Sequence, residues 1–345
     1  MRARDGRRDG YRPPRWLRGA HLQTIWPAKL APKPPVRYAR ERWDTPDGDF
    51  IEVDLLADDP PRGAVHTGGS GRLVARDARP FVVLFHGLEG DSDSHYARSL
   101  MSALRARGWR GAVAHFRGCG GAPNRLPRAY HSGDSGEIDW ILRRFAAGPA
   151  RGAPLHAVGV SLGGNALLKW LGERGESADF VRSAAAVSPP QDLAAGAAAL
   201  ARGFNRVYTA NFLVTLKRKS LAQLERHPGL FDRERVLAAR DFFDFDDAVT
   251  APLHGFAGAQ DYWQRSSCKP FLRGIRVPTA IVHAYNDPFL PSDALAGPAE
   301  VSAAVRLDYS AEGGHVGFAT GAPPGKLDWL PARILEHLDM ERRDG

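Results

Sequence analysis

The segment Leu155 to Val160 is a short, mostly apolar run, and it ends inside the pentad Gly159-Val160-Ser161-Leu162-Gly163. A helical pattern follows at once, with Leu167, Leu168 and Leu171 on one face. A buried strand that turns into a helix within one or two residues tolerates little side-chain bulk at the corner. Glycines two positions either side of a serine meet that demand, and the turn lifts the serine hydroxyl clear of the sheet edge. The pentad alone occurs by chance. Its place between a strand-like run and a helix is what constrains the fold.

Other runs repeat the rhythm. Phe81 to Phe85 is continuously apolar, as suits a strand covered on both faces. Gly111 to Phe116, Ala184 to Val187, Thr279 to His283 and Val305 to Tyr309 read the same way. Helical patterns lie at about 96–107, 135–145 and 330–338. Two earlier runs, Val36 to Arg42 and Phe50 to Leu56, flank Asp47-Gly48-Asp49 and read as a hairpin. Strands alternating with helices predict an α/β fold with a mostly parallel central sheet and helices on both faces. The stretch at about 190–275 breaks the alternation. It is helical in flavour, then aromatic and acidic around Phe242 to Asp247, and it reads as a helical cap insertion over the pocket. Residues 36–345 then form one domain.

Residues 1–35 are basic, proline-rich and irregular in pattern. They read as a basic arm (Arg2, Arg4, Arg7, Arg8, Arg12, Arg15, Arg18) followed by a docking segment around Trp16, Leu17, Leu22, Ile25 and Trp26. The chain of 345 residues carries a formal charge of +8. Charge of this sign can attract anionic lipid headgroups weakly, but a solvated arm is the plainer reading. No nucleic-acid-binding signature accompanies it. The two cysteines, Cys119 and Cys268, have no metal or disulfide spacing, and reduced thiols in a cytoplasmic protein are expected. There is no signal-peptide pattern and no transmembrane run. Neither a cofactor nor a metal is expected, and the sequence does not give the oligomeric state.

A serine hydroxyl needs a general base to attack at neutral pH. Downstream, Asp287 in Asn286-Asp287-Pro288-Phe289 follows one strand run, and His315 in Gly313-Gly314-His315-Val316-Gly317 follows the last. The order serine, acid, histidine at strand ends makes Ser161 the candidate nucleophile, His315 the base and Asp287 the group that orients it. Asp192 and Asp261 are weaker candidates for the acid. Two backbone amides should hold the oxyanion: that of Leu162, after the serine, and that of Leu88 in His86-Gly87-Leu88-Glu89-Gly90. His86 and His283 read as structural, and Cys119 as a small packing residue.

These stretches, together with His21-Leu22-Gln23-Thr24, Phe116 to Gly121, Tyr130 to Gly133, Thr250 to Phe256 and Asp261-Tyr262, resemble the YheT-type branch of the α/β hydrolases. That branch is a group of candidate esterases with lipase-like eukaryotic relatives. The resemblance implies the α/β-hydrolase fold, the same three residues, and hydrolysis of short- to medium-chain carboxylic esters, lipid esters among them. Acyl transfer to an alcohol acceptor is the alternative that keeps the acyl-enzyme. A non-catalytic binding module is the alternative of another class.

Overall fold

The computed structural model describes residues 10–57 and 77–340. Arg2, Arg4, Arg7 and Arg8 of the basic arm, and most of the Gly-, Arg- and Pro-rich loop before Phe81, lie outside the described residues. Eight strands form one sheet: β1 (Tyr38–Asp44), β2 (Phe50–Leu56), β3 (Phe81–Phe85), β4 (Arg110–Ala114), β5 (Leu155–Val160), β6 (Ser183–Val187), β7 (Thr279–Ala284) and β8 (Val305–Ser310). Their spatial order is β1-β2-β4-β3-β5-β6-β7-β8. The β1–β2 and β2–β4 pairs are antiparallel, and all pairs from β4 to β8 are parallel.

Eleven α-helices lie among the described residues: α1 (Ala20–Lys29), α2 (His95–Ala106), α3 (Ser135–Ala147), α4 (Leu162–Arg174), α5 (Leu193–Leu200), α6 (Asn205–Arg226), α7 (Arg233–Ala238), α8 (Phe242–Phe245), α9 (Ala251–His254), α10 (Ala259–Ser266) and α11 (Trp329–Met340). The continuous apolar strands are explained by burial on both faces. In β3, Phe81, Val83 and Phe85 join a core shared with α3 and α4, whereas Val82 and Leu84 join a second core under α2 and α11. Helices α5 to α10 fill the stretch between β6 and β7. Their apolar residues make small clusters of their own, such as Leu213 with Val236, Phe245 and Val249. No helix among the described residues is long and apolar enough to cross a membrane.

Two local expectations change. The first strand lies two residues later than the expected Val36 to Arg42, because it pairs with β2 from Tyr38 opposite Leu56, the last residue of β2, to Asp44 opposite Phe50, where Thr45 N–H closes the hairpin on Asp49 O at 3.0 Å. The segment before it is not irregular, since α1 runs through it. Proline content argues against a helix, but Pro27 falls near the C-terminal end of α1, where its missing N–H removes a single bond. The buried residues of α1 are Gln23, Thr24 and Pro27. Leu22, placed in the apolar docking cluster by its hydrophobicity, is 39% exposed.

Candidate active site

Strand β5 lies between β3 and β6, so the turn at its C-terminal end opens at the middle of the parallel sheet. At that turn Ser161 has φ 51° and ψ −119°, a conformation that side chains strain to adopt. The surroundings over-determine it. Ser161 N–H donates to Val187 O at 2.8 Å, and Ser161 O accepts from Asn165 N–H at 3.0 Å. A Cβ at Gly159 would lie 2.5 Å from Gly163 O, and one at Gly163 would lie 2.5 Å from the carbonyl oxygens of Phe85 and His86. Both glycines are therefore dictated by backbone approaching backbone. The Asn165 amide ties α4 to its neighbours by donating to Ser132 O and Ser266 O and accepting from Cys268 N–H.

Two loops bring the partners in. Asp287 follows β7 and is buried, while His315 follows β8. His315 Nε2 lies 3.0 Å from Ser161 Oγ, and His315 Nδ1 lies 2.8 Å from Asp287 Oδ2. A carboxylate only accepts, so Nδ1 carries the proton and Nε2 is free to accept from the hydroxyl. The second Asp287 oxygen accepts the Phe289 N–H at 2.8 Å. The Phe289 ring stacks on His315 with centroids 4.0 Å apart. Such an arrangement can remove a proton from Ser161 and stabilise the resulting imidazolium. Asp192 and Asp261 are elsewhere: Asp192 caps α5 through Ala195 N–H, and Asp261 accepts from Ala257 N–H near the surface.

The loop after β3 passes directly over the serine, because a Cβ at Gly87 would lie 3.2 Å from Ser161 Cβ. Its amides are sorted by partner. Gly87 N–H donates to Tyr96 Oη at 2.9 Å, Glu89 N–H to Tyr130 Oη at 2.8 Å, and Gly90 N–H to Gly87 O. Among the described residues no acceptor engages the Leu88 N–H between them. Leu162 is the first residue of α4, where an amide has no intrahelical acceptor. The two amides expected to meet an oxyanion are thus unclaimed. His86 holds the loop from below, with Nδ1 donating to Gly87 O at 2.7 Å and Nε2 accepting from Phe116 N–H at 3.0 Å. His283 is fully buried, its Nε2 3.7 Å from Asp287 Oδ2.

All five non-glycine residues with positive φ among the described residues lie in strand-end loops around this point: Glu89, Ser161, Ser188, Val316 and Phe318. Strain of this kind survives only where neighbours enforce it. The enforcing groups are polar, and the sequence reading missed them: Tyr96 and Tyr130 on the β3 loop, Ser188, Asn286, and Gln23 with Thr24 of α1. Hydrophobic periodicity carries no signal for a buried hydrogen-bonding side chain. The stretches His21 to Thr24 and Tyr130 to Gly133 stood out only by resemblance.

Desolvation holds six histidines below the ordinary imidazole range: His86 at about 3, His95 at about 4, His131 at about 4, His254 at about 3, His337 at about 4, and His283 also lowered. Below their ordinary value near 6.5 the unfolded chain binds protons that the folded chain refuses, so stability falls as pH falls. Burial acts oppositely on Asp246 and Glu137, which it raises to about 6 and about 7. Those two keep protons in the folded state that the unfolded chain releases. Six groups outweigh two, and urea midpoints should drop steadily from about pH 6.5 to about pH 4.5. A flat or rising profile over that window would contradict this account.

A cavity of about 400 Å³ opens beside Ser161, between the loop of residues 117–132 and the helices that follow β6. Leu193, Leu200, Phe212, Leu216, Phe242 and Val249 give it a largely apolar wall. Cys119 packs nearby against the core, and burial pushes its thiol up to about 12.

A family profile described as alpha/beta hydrolase fold matches residues 80–322. The chain is 38% identical over 328 residues to YheT of Escherichia coli (strain K12), a candidate esterase, covering 94% of this chain and 92% of YheT. It is 28% identical over 325 residues to the phospholipase ABHD3 of Mus musculus, covering 93% and 76%. A monoacylglycerol lipase of Saccharomyces cerevisiae is 27% identical over 259 residues, covering 72% and 56%. Among solved structures, the Pyrococcus furiosus esterase Pf2001 superposes with a TM-score of 0.55 at 14% identity, covering 96% of this chain and 98% of that one. At that identity the likeness speaks for the fold alone.

Proposed function

The chain belongs to the α/β-hydrolase family, in its YheT-like branch, and from that premise we propose that it is a serine esterase acting through an acyl-enzyme on Ser161. The observation that carries this reading is the unbroken chain of contacts from Ser161 Oγ to His315 Nε2 and from His315 Nδ1 to Asp287 Oδ2, at 3.0 and 2.8 Å. In the first half-reaction Ser161 Oγ attacks the ester carbonyl while His315 takes its proton. The negative charge that develops on the carbonyl oxygen meets the amides of Leu88 and Leu162. His315 then gives its proton to the departing alkoxide, and the alcohol leaves. In the second half-reaction His315 draws a proton from water, which attacks the acyl-enzyme. Collapse returns the proton to Ser161 and releases the acid.

The substrates we propose are short- to medium-chain carboxylic esters, with lipid esters among them. Two things support this: the apolar wall beside Ser161, and the lipase, phospholipase and esterase names of the relatives. A fluorophosphonate should label the protein at Ser161 with one-to-one stoichiometry. In a series of p-nitrophenyl esters, kcat/KM should rise from acetyl to a medium chain and fall beyond it, as the cavity fills. A folded protein that a fluorophosphonate does not label at Ser161 would sink the esterase reading.

A further inference from the structure

We infer that Gln23 and Thr24 of the N-terminal helix α1 are positioning residues for His315. The inference rests on the esterase reading. It adds to that reading a segment of chain that precedes the family match at residue 80.

The loop carrying His315 has an unfavourable backbone. Val316 and Phe318 have φ 57° and 46°, and Val316 is β-branched, the residue type that resists this region most. Such a loop needs external anchors to keep one conformation. Four successive amides are each held by a side chain, the last being Val316 N–H, which donates to Ser188 Oγ at 3.2 Å. Gly313 N–H donates to Gln23 Oε1 at 3.0 Å, Gly314 N–H to Asn286 Oδ1 at 2.9 Å, and His315 N–H to Thr24 Oγ1 at 2.9 Å. Asn286 is itself fixed by donating from Nδ2 to Gln23 Oε1 at 2.9 Å. Two of the four anchors therefore belong to α1, and a third, Asn286, leans on it.

Gln23 is fully buried and uses its whole amide. Its oxygen accepts two bonds, and its nitrogen donates to Leu17 O at 3.0 Å and Glu312 Oε1 at 3.1 Å. Thr24 donates its own hydroxyl to Ala20 O, which turns its lone pairs toward the His315 amide. The loop also presses on the helix. A Cβ at Gly314 would lie 2.7 Å from Thr24 Oγ1, and one at Gly317 would overlap Gln23 O. Further along, Tyr11, Trp16 and Trp26 donate to the carbonyls of Ala319, Gly321 and Pro324. The N-terminal segment thus grips both the loop that carries the imidazole and the chain leaving it. A buried amide that accepts from both Gly313 N–H and the Asn286 side chain sets where the imidazole stands more tightly than an apolar contact would, because hydrogen bonds fix direction as well as distance.

The test uses the full-length chain with Thr24→Val, Thr24→Ser and Gln23→Met, read by steady-state kinetics on a p-nitrophenyl ester and by the rate of fluorophosphonate labelling of Ser161. Assays run well below each variant's melting temperature. Thr24→Val keeps shape but loses the acceptor for His315 N–H. It should lower kcat by about 10- to 100-fold with KM within about twofold, the scale of effect that a displacement near 1 Å produces. Labelling should slow by the same factor, and Thr24→Ser, which keeps the hydroxyl, should stay near wild type. Gln23→Met should lose at least as much. Should it fail to fold, Thr24→Val against Thr24→Ser decides. Wild-type kcat and labelling rate in Thr24→Val, or an equal loss in Thr24→Ser, overturns the inference while the esterase reading stands. Absence of labelling in the wild-type protein overturns both.

Discussion

Ser161→Ala is expected to lower ester turnover by about 10⁶-fold and to abolish fluorophosphonate labelling, with no loss of fold. The magnitude follows from how the parts work together. Without the hydroxyl, His315 has no proton to take, and the amides of Leu88 and Leu162 have no tetrahedral oxyanion formed on the protein to stabilise. What survives is the cavity's ability to bind an ester. The measurement is kcat on the best p-nitrophenyl ester, beside a thermal melt of the same preparation. Ser161→Gly separates strain from chemistry. The serine sits at φ 51°, where alanine is strained and glycine is not. The glycine variant should therefore be as inactive as the alanine variant yet more stable than it, by about 1 kcal/mol or more. Equal stabilities would mean that the elbow stores no strain at the serine. Residual turnover within tenfold of wild type in either variant would mean that another group attacks the ester.

Asp287→Asn should cost about 10⁴-fold in kcat with the fold intact. The hydrogen bonds explain why the isosteric change is so damaging. Oδ1 accepts the Phe289 N–H and Oδ2 accepts the His315 Nδ1–H. An asparagine that keeps its oxygen on Phe289 must turn its NH₂ toward His315. Nδ1 then has to accept, the ring proton moves to Nε2, and the imidazole presents a donor to Ser161 where a base is needed. Turning the amide the other way places its NH₂ against the Phe289 N–H, two donors face to face. Either way the serine loses its base or the loop loses its anchor. Measuring kcat beside the rate of Ser161 labelling tests this, since both depend on the same tautomer. Near-wild-type rates would remove Asp287 from the mechanism.

Much of this is legible in the amino-acid sequence. Strands buried on both faces have to be apolar at every position, so β3 appears as Phe81 to Phe85 with its true ends. The glycines at 159 and 163 are forced by backbone contacts that leave no room for a Cβ, and a constraint of that kind shows in the sequence as a glycine two positions either side of Ser161. The chain order of Ser161, Asp287 and His315 follows from strand connectivity, since each lies just past a strand whose partners are parallel. These features are local, or depend on topology that the alternation of strands and helices already implies.

The rest depended on which distant segments meet. The expectation of an apolar docking segment before residue 36 rested on Trp16, Leu17, Leu22, Ile25 and Trp26, because hydrophobicity is the signal a sequence offers. In the folded chain Leu17 is buried and Leu22 is exposed, while Gln23 and Thr24 turn inward. A glutamine has the same composition on the surface as in the core. Only its four partners, drawn from residues 17, 286, 312 and 313, show that burial there is satisfied and useful. The sequence determined that a serine would stand at the end of a buried strand, with a histidine and an aspartate on neighbouring strand ends. The tertiary structure decided what keeps that histidine in place, because hydrogen bonds between residues almost 300 positions apart exist only once the chain has brought them within 3 Å.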